Sequence, residues 1–132
     1  MALKIALTAA DILKGKLLDA GWYSAKVTKV GEDWVPSKDK QSQNWPVKFE
    51  IMGTGGKEID VTFNTKAIGF LVPFISAIRG KEIEPKDFSF ETSEALNKMV
   101  DVQIIQDTYN GQMNNKITAY LPAGKGKSAQ TY

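Results

Sequence analysis

The chain has 132 residues, 42% apolar and 24% charged, with a net charge of +2 and neither cysteine nor histidine. That size suits one domain with a self-sufficient core, and the composition excludes wholesale disorder and fibrous repeats. Without cysteine and histidine there are no disulfides, no thiolate chemistry and none of the commonest general base and metal ligand, and no residue pattern calls for a cofactor.

The start of the chain, "MALKIALTAADILKGK", lacks the sustained apolar run and cleavage site of a signal peptide. Nowhere do about 18 apolar residues run together, so the reading is a cytoplasmic protein with no membrane segment. Charge is unevenly spread: residues 1–78 carry ten lysines and eight acids, residues 79–107 four basic and seven acidic residues, and residues 108–132 three lysines and no acid. The end of the chain is therefore its positive part.

In chain order, "LTAADILKG" offers Thr8 as an N-cap, Asp11 three residues on and Gly15 as a stop, predicting a short N-terminal helix over about 8–15 that stands as an appendage. "GWYSAKVTKV" alternates Tyr23, Ala25 and Val27 against Trp22, Ser24, Lys26 and Thr28, the two-residue period of a half-buried first strand. Trp22, at its start, suits packing under that helix. "WPVKFEIM" sets Val47, Phe49 and Ile51 against Lys48 and Glu50, and "KEIDVTFN" repeats the pattern after the glycine-rich turn "GTGG". These form a second and third strand in a hairpin. The same glycines lack the full phosphate-loop pattern and lie between strands, so they serve the turn.

"TKAIGFLVPFISAIRG" changes to helical spacing through Ile68, Leu71, Val72, Ile75 and Ile78, with Gly80 as a stop. Pro73 demands a kink there, or a short turn followed by a helix that starts just before it. A charged stretch follows, with a short helix expected over Thr92–Lys98. "MVDVQIIQDTYNGQMNNKITAYLPA" is a hairpin about Asn110-Gly111, with Val100, Val102 and Ile104 and then Ile117, Ala119 and Leu121 pointing inward, and Ile105 marking a bulge. The predicted fold is mainly β: a five-stranded OB-type Greek-key barrel, with a helical connection between strands three and four and a short N-terminal helix. It is one domain over residues 1–122, followed by a flexible basic tail over 123–132.

Two of the three tryptophans flank the loop "GEDWVPSKDKQSQNWP" between the first two strands. Trp34 and Trp45 with Lys38 and Lys40 there, and Tyr109 with Asn114, Asn115 and Lys116 in the last hairpin, place aromatics and cations beside the binding face of such a barrel. Lys48, Thr62, Asn64 and Lys66 would extend the track. Single strands need flat faces for base stacking, worth about 1–3 kcal/mol per base, and cations for phosphates. Each loop tryptophan equally suits a lid folded over one end of the barrel.

The segments "GWYSAKVTKV", "FLVPFISAI" and "MVDVQIIQDTYNGQMNNKITAYLPA" together resemble bacteriophage-encoded OB-fold single-stranded-DNA-binding proteins of the replication and recombination type, over most of residues 20–122. The resemblance implies a non-enzymatic protein that coats and protects single-stranded DNA with little sequence preference and hands it to a phage recombinase or polymerase in the host cytoplasm. By position it puts Trp45, Lys48, Tyr109 and Lys116 on the DNA track. "AGKGKSAQTY" departs from the acidic, partner-recruiting tail of many such proteins. The alternative is a small-barrel structural or assembly protein, a homo-oligomer using its aromatic loops for protein contacts. An enzyme built on Asp60 or on Glu82, Glu84 and Asp87 is disfavoured, because a solvated loop explains those acids and no ligand spacing is present.

Overall fold

The computed structural model describes residues 2–86 and 89–126. Its elements are α1 (Ala9–Gly15), β1 (Gly21–Val30), β2 (Val35–Pro36), β3 (Gln43–Ile51), β4 (Lys57–Asn64), a 3-10 turn over Thr65–Phe70, α2 (Leu71–Arg79), a second 3-10 turn over Thr92–Ala95, β5 (Met99–Tyr109) and β6 (Gln112–Pro122). The fold is a six-stranded, entirely antiparallel sheet. Among the described residues no helix is long and apolar enough to cross a membrane.

The long strands run side by side in the order β4-β3-β1-β5-β6. Asn44 of β3 pairs Val35 of β2 on one edge and Asn64 of β4 on the other, so the two-residue β2 continues the edge that β1 occupies. Part of the expected loop is thus strand. No ladder joins β4 to β6 among the described residues, and the sheet is not closed. The stretch before β1 ties the two ends together instead. The Leu18 N–H donates to Asn115 Oδ1 at 2.7 Å, Asn115 Nδ2 and Gln106 Nε2 each donate to the Leu18 carbonyl at 2.9 Å, and Lys57 Nζ donates to the Lys16 carbonyl.

Local chemistry accounts for the elements. Thr8 and Asp11 cap α1 reciprocally: Asp11 N donates to Thr8 Oγ1 at 3.1 Å and Thr8 N to Asp11 Oδ2 at 3.0 Å. In α2 Pro73 is the third helical residue, where a backbone N–H has no partner within the helix, so the proline removes no bond of α2. Gly80 ends the helix at φ 73°, its N–H donating to the Ser76 carbonyl at 2.9 Å. Of the expected helix over Thr92–Lys98 only the 3-10 turn forms.

The core fills the inner face of the sheet. Val27, Phe49, Ile51, Val100, Val102 and Ile104 are fully buried there, and α2 covers them with Phe74, Ile75 and Ala77. Phe74 is the hub of an aromatic cluster, with ring centroids 5.3 Å from Phe63, 5.3 Å from Tyr120, 5.7 Å from Phe49 and 6.1 Å from Trp45.

Two bulges reset the alternation expected from sequence. On β6 the register jumps from Ala119 opposite Gln103 to Ile117 opposite Ile104, leaving Thr118 as the extra residue. Side chains after it change face. Tyr120, opposite Val102, therefore enters the core, and Ala119 and Leu121, expected inside, sit opposite Gln103 and Asp101. The irregularity lies on the partner strand and not at Ile105. On β1 a second jump between Val27 and Lys29 leaves Thr28 extra and turns Lys29 outward beside Lys48.

The outer face of β1 and β5 holds a polar site that the alternation gives no sign of. Asp101 is 2% exposed and accepts from Gly126 N at 2.9 Å and Ser24 Oγ at 3.4 Å. Gly126 lies so close that a Cβ there would come within 2.5 Å of the Trp22 ring and 2.8 Å of Asp101 Cβ. Trp22, expected under α1, is thus covered from the C-terminal side. The chain is held as far as Gly126, three residues past the expected start of the tail, whose remainder lies outside the described residues.

Candidate nucleic-acid interface

The loop between β1 and β3 is a folded turn. Ser37 and Ser42 pair through backbone at 3.0 Å, and Lys40, at φ 58°, donates its N–H to the Ser37 carbonyl at 3.0 Å. Asp39 accepts from Ser37 Oγ at 2.6 Å and from Gln41 N at 3.0 Å. These two bonds, the hydroxyl's first, hold its carboxyl below the usual range. Lys38 and Lys40 flank it, both exposed.

A side-chain network fastens this loop to the end of β4. Asn64 Nδ2 donates to Asn44 Oδ1 at 2.7 Å and to Ser42 Oγ at 2.9 Å, Gln43 N donates to Thr65 Oγ1 at 3.0 Å, and Lys66 Nζ reaches Gln41 Oε1 at 3.3 Å. Lys38, Lys40 and Lys66 therefore share one end of the sheet, with Asp39 between the first two in sequence.

The two loop tryptophans part company. Trp34 is 36% exposed, at the mouth of a cleft. Trp45 is 3% exposed, stacks on Phe63 at 5.8 Å and donates its indole N–H to the Gly31 carbonyl at 2.8 Å. The expectation that Trp45 offers a face for stacking is not met, because its ring belongs to the aromatic core. A Cβ on Gly31 would come 2.8 Å from Pro46 Cδ and 3.0 Å from Trp45 Cδ1, so that glycine admits the close packing.

On the outer face of the sheet the residues form rows across the strands. Lys29 of β1 stands directly opposite Lys48 of β3, which stands opposite Asp60 of β4, with Lys48 Nζ 4.0 Å from Asp60 Oδ1. The three border a cavity of about 230 Å³ with Gly31 and Pro46. The neighbouring row is Lys26, Glu50 and Glu58, so positive charge grows from that row toward the loop. Lys29 escapes a reading from sequence, since strict alternation turns it inward and only the Thr28 bulge brings it out. Its one signal is a lysine that would otherwise face the core.

The last hairpin lies at the opposite end of β3 and β4. Asn114 and Met113 border a cleft of about 400 Å³ with Lys57, Glu58 and Asp60. Lys116 is exposed beyond them, and Asn115 is committed to Leu18. Tyr109 closes the hairpin by backbone pairing with Gln112, and its side chain lies outside the described residues. The structure thus gathers Lys38, Lys40 and Lys66 at one end, Lys48 in the middle with Lys29, and Lys116 at the other end.

Among the described residues no three acidic side chains cluster as a metal site. Glu84 pairs with Lys86 at 3.1 Å, and Asp87 lies outside the described residues. No protein-family model matches the chain, and no curated protein matches it.

Proposed function

We propose that this protein is a non-enzymatic single-stranded-DNA-binding module that carries the strand across the outer face of β3 and β4, from the lysine-bearing loop to the last hairpin. The observation that carries the reading is the Lys29–Lys48 pair. Like charges directly opposite on neighbouring strands repel, and here one aspartate 4.0 Å from one of them is the offset the sheet supplies. A phosphate would relieve the rest. Lys38, Lys40 and Lys66 continue the cationic path, and Trp34 supplies an accessible ring.

The strand order supports an OB-type barrel as the scaffold. Taking the five long strands in chain order, they lie third, second, first, fourth, fifth, and closure of an OB barrel would join β4 to β6. That gap is the one bridged by Lys16–Leu18. In this reading the loop after the first strand and the hairpin between the last two flank the binding face, as OB-fold recognition requires. A place in phage replication or recombination, with hand-over to a recombinase or polymerase, rests on the resemblance of the β1, α2 and β5–β6 segments alone.

The test is a titration with a labelled oligo-dT of about 30 nucleotides at low and moderate salt, reading anisotropy and tryptophan emission together. Binding should weaken steeply with salt and quench Trp34, with oligo-U as a competitor to weigh RNA against DNA. No change in anisotropy at low salt would refute the proposal.

A further inference from the structure

Residues 2–8, Ala-Leu-Lys-Ile-Ala-Leu-Thr, form an arm before α1 that belongs to no helix or strand. Leu3, Ile5 and Leu7 recur at every second residue and are 85%, 74% and 65% exposed. That spacing puts three large aliphatic side chains on one side of an extended chain, the form in which peptides dock into apolar grooves. The arm leaves them in water.

Beyond the end of β4 lies a cleft of about 450 Å³, floored by Trp45 and Ile75, walled by Trp34, Ile68 and Val72 and edged by Glu32 and Asp33. Ile68 and Val72 are each about half exposed, and neighbouring Phe70 is 73% exposed. An exposed apolar surface with a charged rim marks a protein-contact site. A row of apolar side chains with a basic residue beside it complements it: Lys4 alternates to the other side of the arm from Leu3 and Ile5, and its long side chain can reach an acidic rim.

We infer that Leu3, Ile5 and Leu7 of one copy dock in this cleft of a second copy, with Lys4 against Glu32 and Asp33. The chain just after α1 is fixed at the end of β4 away from its own cleft. Lys16 is held by Lys57 at the start of β4, whereas the cleft lies past Asn64 at its end. Arm and cleft are distinct surfaces, so each copy gives with one and receives with the other.

The test uses the full chain without nucleic acid, so it stands apart from the DNA-binding reading. Sedimentation velocity from about 1 to 100 µM should show a mass that rises above the 14.6 kDa of one chain. Ile5→Asp in the arm and Val72→Asp in the cleft should each weaken association at least about tenfold, roughly the loss of one anchoring contact. Val72 is exposed in the first turn of α2, where an acid is favourable, so thermal melts should confirm that both variants stay folded. Lys4→Glu should weaken association, and Glu32→Lys with Asp33→Lys in the same chain should restore it. A wild-type protein that stays at 14.6 kDa throughout overturns the inference, arm docking onto its own cleft included. So does an Ile5→Asp effect that neither the cleft variant nor the charge exchange reproduces.

Discussion

Replacing Trp45 with phenylalanine separates a core tryptophan from a binding one. The variant removes the indole N–H that donates to the Gly31 carbonyl at 2.8 Å, which costs about 1–2 kcal/mol where the carbonyl is left without its partner. Phenyl also buries about 40 Å² less than indole, about 1 kcal/mol at 25 cal/mol per Å². The expected destabilisation is about 2–3 kcal/mol, a fall in Tm on the order of 10 °C for a domain of this size. Trp34→Phe, at a side chain 36% exposed, should change stability by about 0.5 kcal/mol or less. Thermal melts followed by circular dichroism measure both. Oligo-dT should still quench emission in Trp45→Phe and lose that effect in Trp34→Phe. A Trp45→Phe protein that melts within about 2 °C of wild type would refute the placement of this ring in the core.

Two further outcomes follow from the outer face and from Tyr120. Lys29→Ala and Lys48→Ala should each lower the slope of log affinity against log salt by about 0.7, one phosphate contact on a single strand, while Lys86→Ala, paired with Glu84, should leave it alone. Slopes that match wild type for all three, from oligo-dT titrations at several salt concentrations, would remove the Lys29–Lys48 row from the track. Burial pushes the Tyr120 phenol above its ordinary value of about 10, so the folded state keeps a proton that the unfolded chain releases. Stability from this group is complete below about pH 10 and is lost as pH rises beyond it. Urea unfolding from pH 9 to 11.5 should show that loss in wild type and a shallower one in Tyr120→Phe. Tyr23, raised by burial and then by the Asp19 carboxylate, contributes in the same direction in both proteins. Identical slopes in the two proteins would contradict a buried Tyr120.

The aromatic cluster underlies the proposed interface. Trp45, Phe63, Phe74 and Tyr120 lock β3, β4, α2 and β6 together from within, so the outer face of β3 and β4 is presented on a stiff support. Cations along the proposed path vary in what they meet locally. Lys48 has Asp60 within 4.0 Å and Lys66 has the Gln41 amide, so a bound strand would displace weak, exposed contacts of little energetic weight.

Local chemistry made much of the fold legible. Two-residue alternation marked all five long strands, Thr8 and Asp11 marked the start of α1, and Asn110-Gly111 the last hairpin, since each depends only on neighbours within a few residues, while Pro73 left a kink or a new helix open and the structure has the new helix. The lysines of the loop were equally legible, because an aliphatic-free stretch has nothing to bury. Other features depend on partners far away in sequence, and only the tertiary structure decided them. Thr118 and Thr28 are unremarkable in sequence, yet opposite Gln103–Ile104 and Phe49–Lys48 they become bulges that draw Tyr120 inward and turn Lys29 outward. Trp34 and Trp45 look alike in the chain, and what separates them is that Phe63, Phe74 and the Gly31 carbonyl surround one ring and leave the other at the surface. A side chain's periodicity and capping are written in its own segment, whereas its burial is set by whichever distant segments pack against it.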